Sequence, residues 1–278
     1  MSNKMETISS GGKPLSDEEL MNLLMKVRSG ELSPEEAERL LNDLPGLGMD
    51  KEEYQMSTKE KKSRGYKGLG MDGPIASWYA KITQKDIEEY KSNAKLVAGQ
   101  VSAGDAILEV APGPGYLAIE LAKLGHYKIV GLDISKTFVE IAQTKAKEAG
   151  VEVDFRQGNV AQMPFDEGIF DFIICKSAFK NFAEPTVALD EMYRVLKVGG
   201  KALILDLRGD VSEETVNDYV ENMGLNSINS LITKWIFKFS LIKRAYTKDQ
   251  FKTLASKTKF SQSEIQENQI GLEVWLEK

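Results

Sequence analysis

Three short stretches hold residues whose types and spacing suit the chemistry of binding a small anionic or nucleoside ligand. The run Ile107-Leu108-Glu109-Val110-Ala111-Pro112-Gly113-Pro114-Gly115-Tyr116 passes from an apolar strand pattern straight into glycines and prolines. Missing side chains at Gly113 and Gly115 let a ligand reach the backbone, and the free N–H groups of the helix that follows suit a carboxylate or similar anion. The spacing Gly113-x-Gly115-x-x-Ala118 also meets the dinucleotide fingerprint. Gly131-Leu132-Asp133-Ile134 ends a second strand with a carboxylate able to accept from both hydroxyls of a ribose, which serves nicotinamide dinucleotides and other adenosine ligands alike. Gly158-Asn159-Val160 follows a third strand and offers a side-chain amide and a backbone N–H to the edge of an adenine.

These stretches need a scaffold that brings strand ends together. Strand patterns run over Ala106–Val110, Lys128–Asp133, Glu152–Gln157, Phe170–Cys175 and Lys201–Leu207, and helical patterns over Tyr116–Leu124, Lys136–Glu148 and Thr186–Leu196. Gly125, Gly150 and Gly199 are placed as helix stops. A further helix runs from Pro74 through Trp78 and Tyr79 towards Val101. Alternation of this kind predicts a parallel α/β sheet covered on both faces, with ligands beyond the carboxyl ends of the strands. Glu264–Gln269 and Leu272–Glu277, joined at Ile270-Gly271, predict an antiparallel pair at the end of the sheet.

Residues 1–45 read as a small helical hairpin. Ser16-x-x-Glu19 and Ser33-x-x-Glu36 are capping boxes, and Ser29-Gly30 breaks the chain between two apolar stripes. Its faces are too small to fold alone, which predicts docking on the main domain or a homo-oligomer paired through the hairpin. Residues 46–73 are rich in Gly, Lys and Glu and read as a solvated linker to the domain at 74–278, with a docking site for an acidic partner as the alternative.

Composition excludes several classes. A net charge of −6 and a pI near 5.2 argue against binding a nucleic-acid backbone. One cysteine and one histidine leave no disulfide within the chain and no Cys/His metal cluster. The first residues lack the apolar core of a signal peptide, and no apolar run approaches the ~20 residues of a membrane span. The expected location is therefore the cytoplasm, without stable membrane insertion.

Further segments complete a resemblance. ILEVAPGPG, IVGLDIS, GNVAQMPF, FDFIIC and the Glu191-x-x-Arg194-Val195-Leu196-Lys197-x-Gly199-Gly200 run follow one another between Ala106 and Asp206. In this order they resemble the class I S-adenosylmethionine-dependent methyltransferases, in particular the ubiquinone/menaquinone C-methyltransferase-like branch. The resemblance implies a Rossmann-like, doubly wound, mostly parallel seven-stranded sheet with an antiparallel C-terminal strand. It implies S-adenosyl-L-methionine as cofactor and a small-molecule methyl acceptor. Gly113, Pro114 and Gly115 would meet the methionine part of the cofactor, with Glu109 and Ala111 shaping its pocket. Asp133 would hold the ribose, Ile134 would pack on the adenine, and Asn159 with Val160 would meet its edge. Asn159 departs from the Asp of many relatives, so weaker binding is expected. Tyr79 would close over the cofactor and hydrogen-bond its amino-acid part.

Methyl transfer requires an acceptor held in line with the sulfur–methyl bond and shielded from water. A general base enters only where the attacking atom still carries a proton. Lys176, Lys180 and Asn181 stand where many relatives have histidine, and they, Asp206 and Arg208 are candidates to face acceptor or methyl. Cys175 lies at the same rim, either lining the cofactor site or packed in the core, while His126 belongs at the opposite edge. Asp206 and Arg208 read equally as a surface ion pair. The segment 209–246 carries an apolar stripe at Ile228, Leu231, Ile232, Trp235, Phe239 and Ile242, a pattern most often found in ordinary core; its position in the resembled family implies a lid, and with it a partly apolar acceptor. The chain lacks the Asn/Asp-Pro-Pro-aromatic signature of base methylation and the several thiols of arsenic methylation. A nucleotide-dependent oxidoreductase and a non-catalytic regulatory protein holding the same cofactor are the competing readings.

Overall fold

A computed structural model of the protein describes residues 26, 31, 65–67, 73–223, 230, 233–234, 237, 241–260 and 262–278. Apart from Lys26 and Glu31, the expected N-terminal hairpin of residues 1–45 lies outside the described residues. So do Ile228, Leu231, Ile232, Trp235 and Phe239 of the lid stripe.

Seven strands form one sheet: β1 (Ala106–Val110), β2 (Lys128–Asp133), β3 (Asp154–Gln157), β4 (Phe170–Lys176), β5 (Leu196–Leu207), β6 (Gln262–Glu267) and β7 (Gly271–Glu277). Their order is β3-β2-β1-β4-β5-β7-β6. Neighbours are parallel except where β7 runs against β5 and β6. The helices are α1 (Gly73–Thr83), α2 (Ile87–Ala98), α3 (Tyr116–Ala122), α4 (Lys136–Ala149), α5 (Pro185–Val195), α6 (Glu213–Asn222), the single turn α7 (Ile242–Arg244) and α8 (Lys248–Ala255). No described helix is long and apolar enough to cross a membrane.

Side chains alternate across the sheet, so β1 feeds two apolar layers. Leu108 and Val110 join Leu189 and Met192 of α5 and Phe251 of α8 on one face. Ile107 joins Val97 of α2, Leu117 and Leu121 of α3, and Ala142 of α4 on the other. Strand order reverses between β2-β1 and β4-β5, so the crevice of this fold opens above β1 and β4.

The expected elements recur, with boundary shifts that have local causes. Ser135 caps α4 by accepting from Phe138 N–H at 3.1 Å, and Gly150 ends it in the left-handed conformation. The helix foreseen after Pro74 is two helices broken by a tight turn at Gln84–Asp86. There Thr83 Oγ1 donates to the Tyr79 carbonyl at 2.9 Å, a back-bond that bends helices. Gly125 stops no helix, since α3 ends at Ala122; a Cβ there would lie 2.7 Å from the Tyr127 ring. Gly199 is likewise not a helix stop. β5 begins at Leu196 and bulges before Lys201, where its register against β4 slips. The last turn is Asn268–Ile270, held by Asn268 Oδ1 accepting from Gly271 N–H at 2.7 Å.

Candidate functional site

The crevice is lined first by the loop after β1. Ala111 takes a left-handed conformation that is uncommon for a residue with a side chain, followed by Gly113 at φ 55° and Gly115 at φ 79°. Glu109 lies beneath the loop, 3% exposed, and its Oε2 accepts from Ala118 N–H in α3 at 2.9 Å. Asp133, at the tip of β2 and 5% exposed, accepts from Gly113 N–H through Oδ2 at 2.9 Å and from Ser135 N–H through Oδ1 at 2.9 Å. One carboxylate therefore joins the ends of two adjacent strands. A Cβ on Gly113 would meet nothing within 4 Å, so the space over this glycine is open.

Burial pushes the Glu109 carboxyl up to about 8, against the pull of the Ala118 N–H and Lys176. A carboxyl whose folded pKa is raised binds its proton more tightly in the folded state. Its contribution to stability is therefore fully present below about 4.5 and is lost as pH rises towards about 8. Glu109→Gln keeps an acceptor for Ala118 N–H and removes the titration. Relative to wild type, this variant should gain stability between those pH values, by at most about 1.4 kcal/mol per pH unit. Urea denaturation at several pH values reads the difference, and parallel profiles would refute it.

On the adenine side, Ile134 is 39% exposed just beyond β2. Asn159 Oδ1 accepts from Ala161 N–H at 2.9 Å. The Gly65 backbone packs on the same amide so closely that a Cβ there would lie 2.7 Å from Asn159 Nδ2. Val160 is buried, leaving its backbone as the part that can meet a ligand. Residues 65–67 are thus docked on the domain, although they fall in the stretch read from sequence as a solvated linker. Tyr66 pairs with Phe182, and Lys67 N–H donates to the Asn181 carbonyl at 2.6 Å.

The acceptor side is built by the turn after β4. Ser177 has φ 59°, again left-handed with a side chain. Lys180 Nζ donates to Asp206 Oδ1 at 2.7 Å and to the Ser177 carbonyl at 2.5 Å, while Lys180 N–H donates to Asp206 Oδ2 at 2.8 Å. Both side chains of this pair are about 5% exposed, at 4% and 6%. The partner of Asp206 is therefore Lys180 and not Arg208. Arg208 pairs with Asp210 at 2.7 Å and Glu267 at 3.7 Å, beside the β6–β7 turn. Asn181 is buried, and its Oδ1 stands 3.4 Å from Arg244 Nη1.

Lys176 is no solvated lysine. Its ammonium lies 3.0 Å from Glu89 and 4.8 Å from the centre of the Tyr90 ring, both on α2. Tyr79 packs edge-on against Phe138, and burial with Asp86, Asp206, Glu89 and Asp133 nearby holds its phenol protonated, with a pKa of about 12. Cys175 is fully buried among core residues, and burial raises its thiol well above the usual range. His126 precedes β2, at the edge away from the crevice.

The structure brings Tyr79, Glu109, Ala111, Gly113, Pro114, Gly115, Asp133, Ile134, Asn159, Val160, Lys176, Asn181 and Asp206 to one rim, and it sets Arg208 apart. Sequence reasoning missed Asp86, Glu89 and Tyr90. Nothing in the local pattern of α2 marks them, and an unmatched Lys176 was the one hint that a carboxylate must come from elsewhere.

Residues 108–204 match the family described as methyltransferase domain. The chain is 37% identical over 105 residues to a ubiquinone/menaquinone biosynthesis C-methyltransferase of Bdellovibrio bacteriovorus, covering 37% of this chain and 45% of that protein. It is 38% identical over 101 residues to a demethylmenaquinone methyltransferase of Thermus thermophilus, covering 36% and 46%. The matches thus span less than half the length of these curated relatives. A solved Methanococcus maripaludis protein, assigned as an S-adenosyl-L-methionine-dependent methyltransferase, superposes with a TM-score of 0.60 at 22% identity. That superposition covers 76% of this chain and 94% of the other, and it shows the shared fold. Strand order and glycine loop agree with that match, so residues 108–204 are similar to a methyltransferase domain in sequence and in fold.

Proposed function

We propose that the protein transfers a methyl group from S-adenosylmethionine to a small organic, partly apolar acceptor. The observation that carries this is the joint between Gly113 and Asp133: a backbone open to a ligand, beside a carboxylate at the neighbouring strand end. That cradle suits a nucleoside bearing an amino acid. When bound, the cofactor supplies an electrophilic sulfonium methyl. The chain's own work is then to bind, orient and exclude water.

In this reading Ala111, Gly113, Pro114 and Gly115 pass beside the methionine chain, and Glu109 holds the loop against α3. Asp133 accepts from the ribose hydroxyls, Ile134 covers the adenine, and Asn159 with the Val160 backbone meets its edge. Tyr79 closes the site from α1 and stays protonated as a donor. Cys175 contributes bulk beneath the rim and not a nucleophile, because its thiol is sealed in the core. Lys176, Asn181 and Asp206 bound the acceptor side; Asp206 acts through Lys180, whose turn it holds in place. A partly apolar acceptor is in keeping with relatives named for menaquinone chemistry. It also agrees with the contact between Tyr219 of α6 and Phe237, whose ring centres are 5.9 Å apart within the expected lid.

Calorimetry with S-adenosylhomocysteine tests the reading. Wild-type protein should bind it, and Asp133→Ala should weaken binding by about 100-fold, the loss of charge-assisted bonds to a ribose. A folded wild type that binds neither this compound nor S-adenosylmethionine would remove the proposal. Methyl release to a broad acceptor panel separates an enzyme from a protein that only holds the cofactor.

A further inference from the structure

The Lys176 ammonium stands at the tip of β4, next to the strand that carries the Gly113 loop. Its side chain is 10% exposed, whereas that of its partner Glu89 is 57% exposed. An ammonium has three N–H donors. Glu89 takes one at 3.0 Å, and Ser177 Oγ lies at 3.5 Å, the outer limit for a second. The third has no partner among the described residues, and the Tyr90 ring covers the flank of the ammonium from 4.8 Å. A nearly dehydrated cation with an unfilled donor is unfavourable until another acceptor arrives.

A second donor borders the same space. The Tyr79 hydroxyl has no hydrogen-bond partner among the described residues, and its electrostatic neighbours Asp86 and Glu89 are also those of Lys176. Nearby negative charge is answered except at Asp86, which faces Lys176 and Lys85 without a close ion pair among the described residues, while burial favours the protonated form of Glu109. Asp206 faces Lys180 at 2.7 Å, Asp133 accepts from two backbone N–H groups, and Glu89 is held by Lys176 itself. What remains unfilled is donors, and donors call for an oxygen bearing negative charge.

Resting on the methyltransferase reading above, we propose that Lys176 and Tyr79 anchor an anionic oxygen of the methyl acceptor. The acceptor is then an organic acid: a carboxylate, or an ionised phenol or enol. A cationic amine is disfavoured because it would meet an ammonium and a hydroxyl whose proton is fixed. Lys176 acts here as a specificity residue, and the pair with Glu89 keeps its charge balanced until the acceptor binds.

The test uses the full chain saturated with S-adenosylhomocysteine and three aromatic probes of similar size, benzoate, 4-nitrophenolate and benzylamine, followed by calorimetry. At least one anion should bind about tenfold or more tightly than benzylamine, and the two anions separate a carboxylate from a phenolate site. Lys176→Met should weaken that anion by about 10- to 100-fold, as loss of a charged hydrogen bond implies, and Lys176→Arg should keep the preference for anions. Glu89→Gln, at an exposed position, should tighten anion binding severalfold by freeing the ammonium. Equal anion binding in wild type and Lys176→Met, preference for benzylamine, binding of no probe, or no gain in Glu89→Gln would each overturn the assignment. So would a loss of S-adenosylhomocysteine affinity in Lys176→Met with 5′-methylthioadenosine unaffected, which gives the ammonium to the cofactor's own carboxylate. If wild type does not bind S-adenosylhomocysteine, the methyltransferase reading falls together with this one; binding without the anion preference removes the acceptor class alone.

Discussion

Gly115→Ala is expected to cost the fold about 2–5 kcal/mol, while Gly113→Ala folds and loses cofactor binding. Both glycines are left-handed, at φ 79° and 55°, so an alanine costs about 1–2 kcal/mol at either place. Their surroundings differ. A Cβ on Gly115 would lie 2.7 Å from Phe155 Cζ and 2.8 Å from Ala142 Cβ, both in the packed layer under the loop. Overpacking there adds about 1–3 kcal/mol and moves the start of α3. At Gly113 the same methyl meets no protein atom within 4 Å and points into the crevice. Urea denaturation should show a large fall in midpoint for Gly115→Ala and a small one for Gly113→Ala. Calorimetry with S-adenosylhomocysteine should show loss of binding by folded Gly113→Ala. Retained affinity in that variant would place the ligand elsewhere.

Lys180→Met is expected to destabilise the protein by about 3–5 kcal/mol, the cost of leaving a buried carboxylate without its cation. The carboxylate of Asp206 would keep the Lys180 and Leu207 N–H donors but lose the ammonium at 2.7 Å, in surroundings where its side chain is 6% exposed. Adding Asp206→Asn removes the stranded charge and retains an acceptor for one of those N–H groups. The double variant should recover half or more of the loss. A surface pair would show neither the loss nor the recovery, being worth about 0–1 kcal/mol. Denaturation of the four proteins of this cycle measures both. Loosening of the turn from Ser177 to Phe182 should follow, since Lys180 also donates to the Ser177 carbonyl.

Much of this arrangement is readable in the order of residues. The alternation of strand and helix patterns from Ala106 to Leu207, the glycine loop and the acidic end of β2 are local features. Each follows from side-chain period, from the need for a left-handed turn, or from a strand's length. The antiparallel pair at the end was equally visible, because a short turn at Ile270-Gly271 between two strand patterns admits few alternatives. Boundaries moved where a contact from another element intervened. The slip of β5 against β4 at Gly199 depends on a strand remote in sequence, whereas at Gly125 the close neighbour is Tyr127, two residues on.

By itself, the sequence determined the sheet, the rim at which its crevice opens and the open backbone turn at Gly113, since these rest on patterns a few residues long. Which charges meet was decided by the tertiary structure. Asp206 lies within β5 and Arg208 just beyond its last residue, Leu207; Asp206 meets Lys180 from the turn after β4, while Arg208 meets Asp210 and Glu267. Lys176 finds Glu89 because α2 packs along α3, and Asn159 finds Gly65 because a remote segment crosses the domain. Partners of this kind depend on register and helix placement, which is set by burial of the whole chain and not by the spacing within any one stretch.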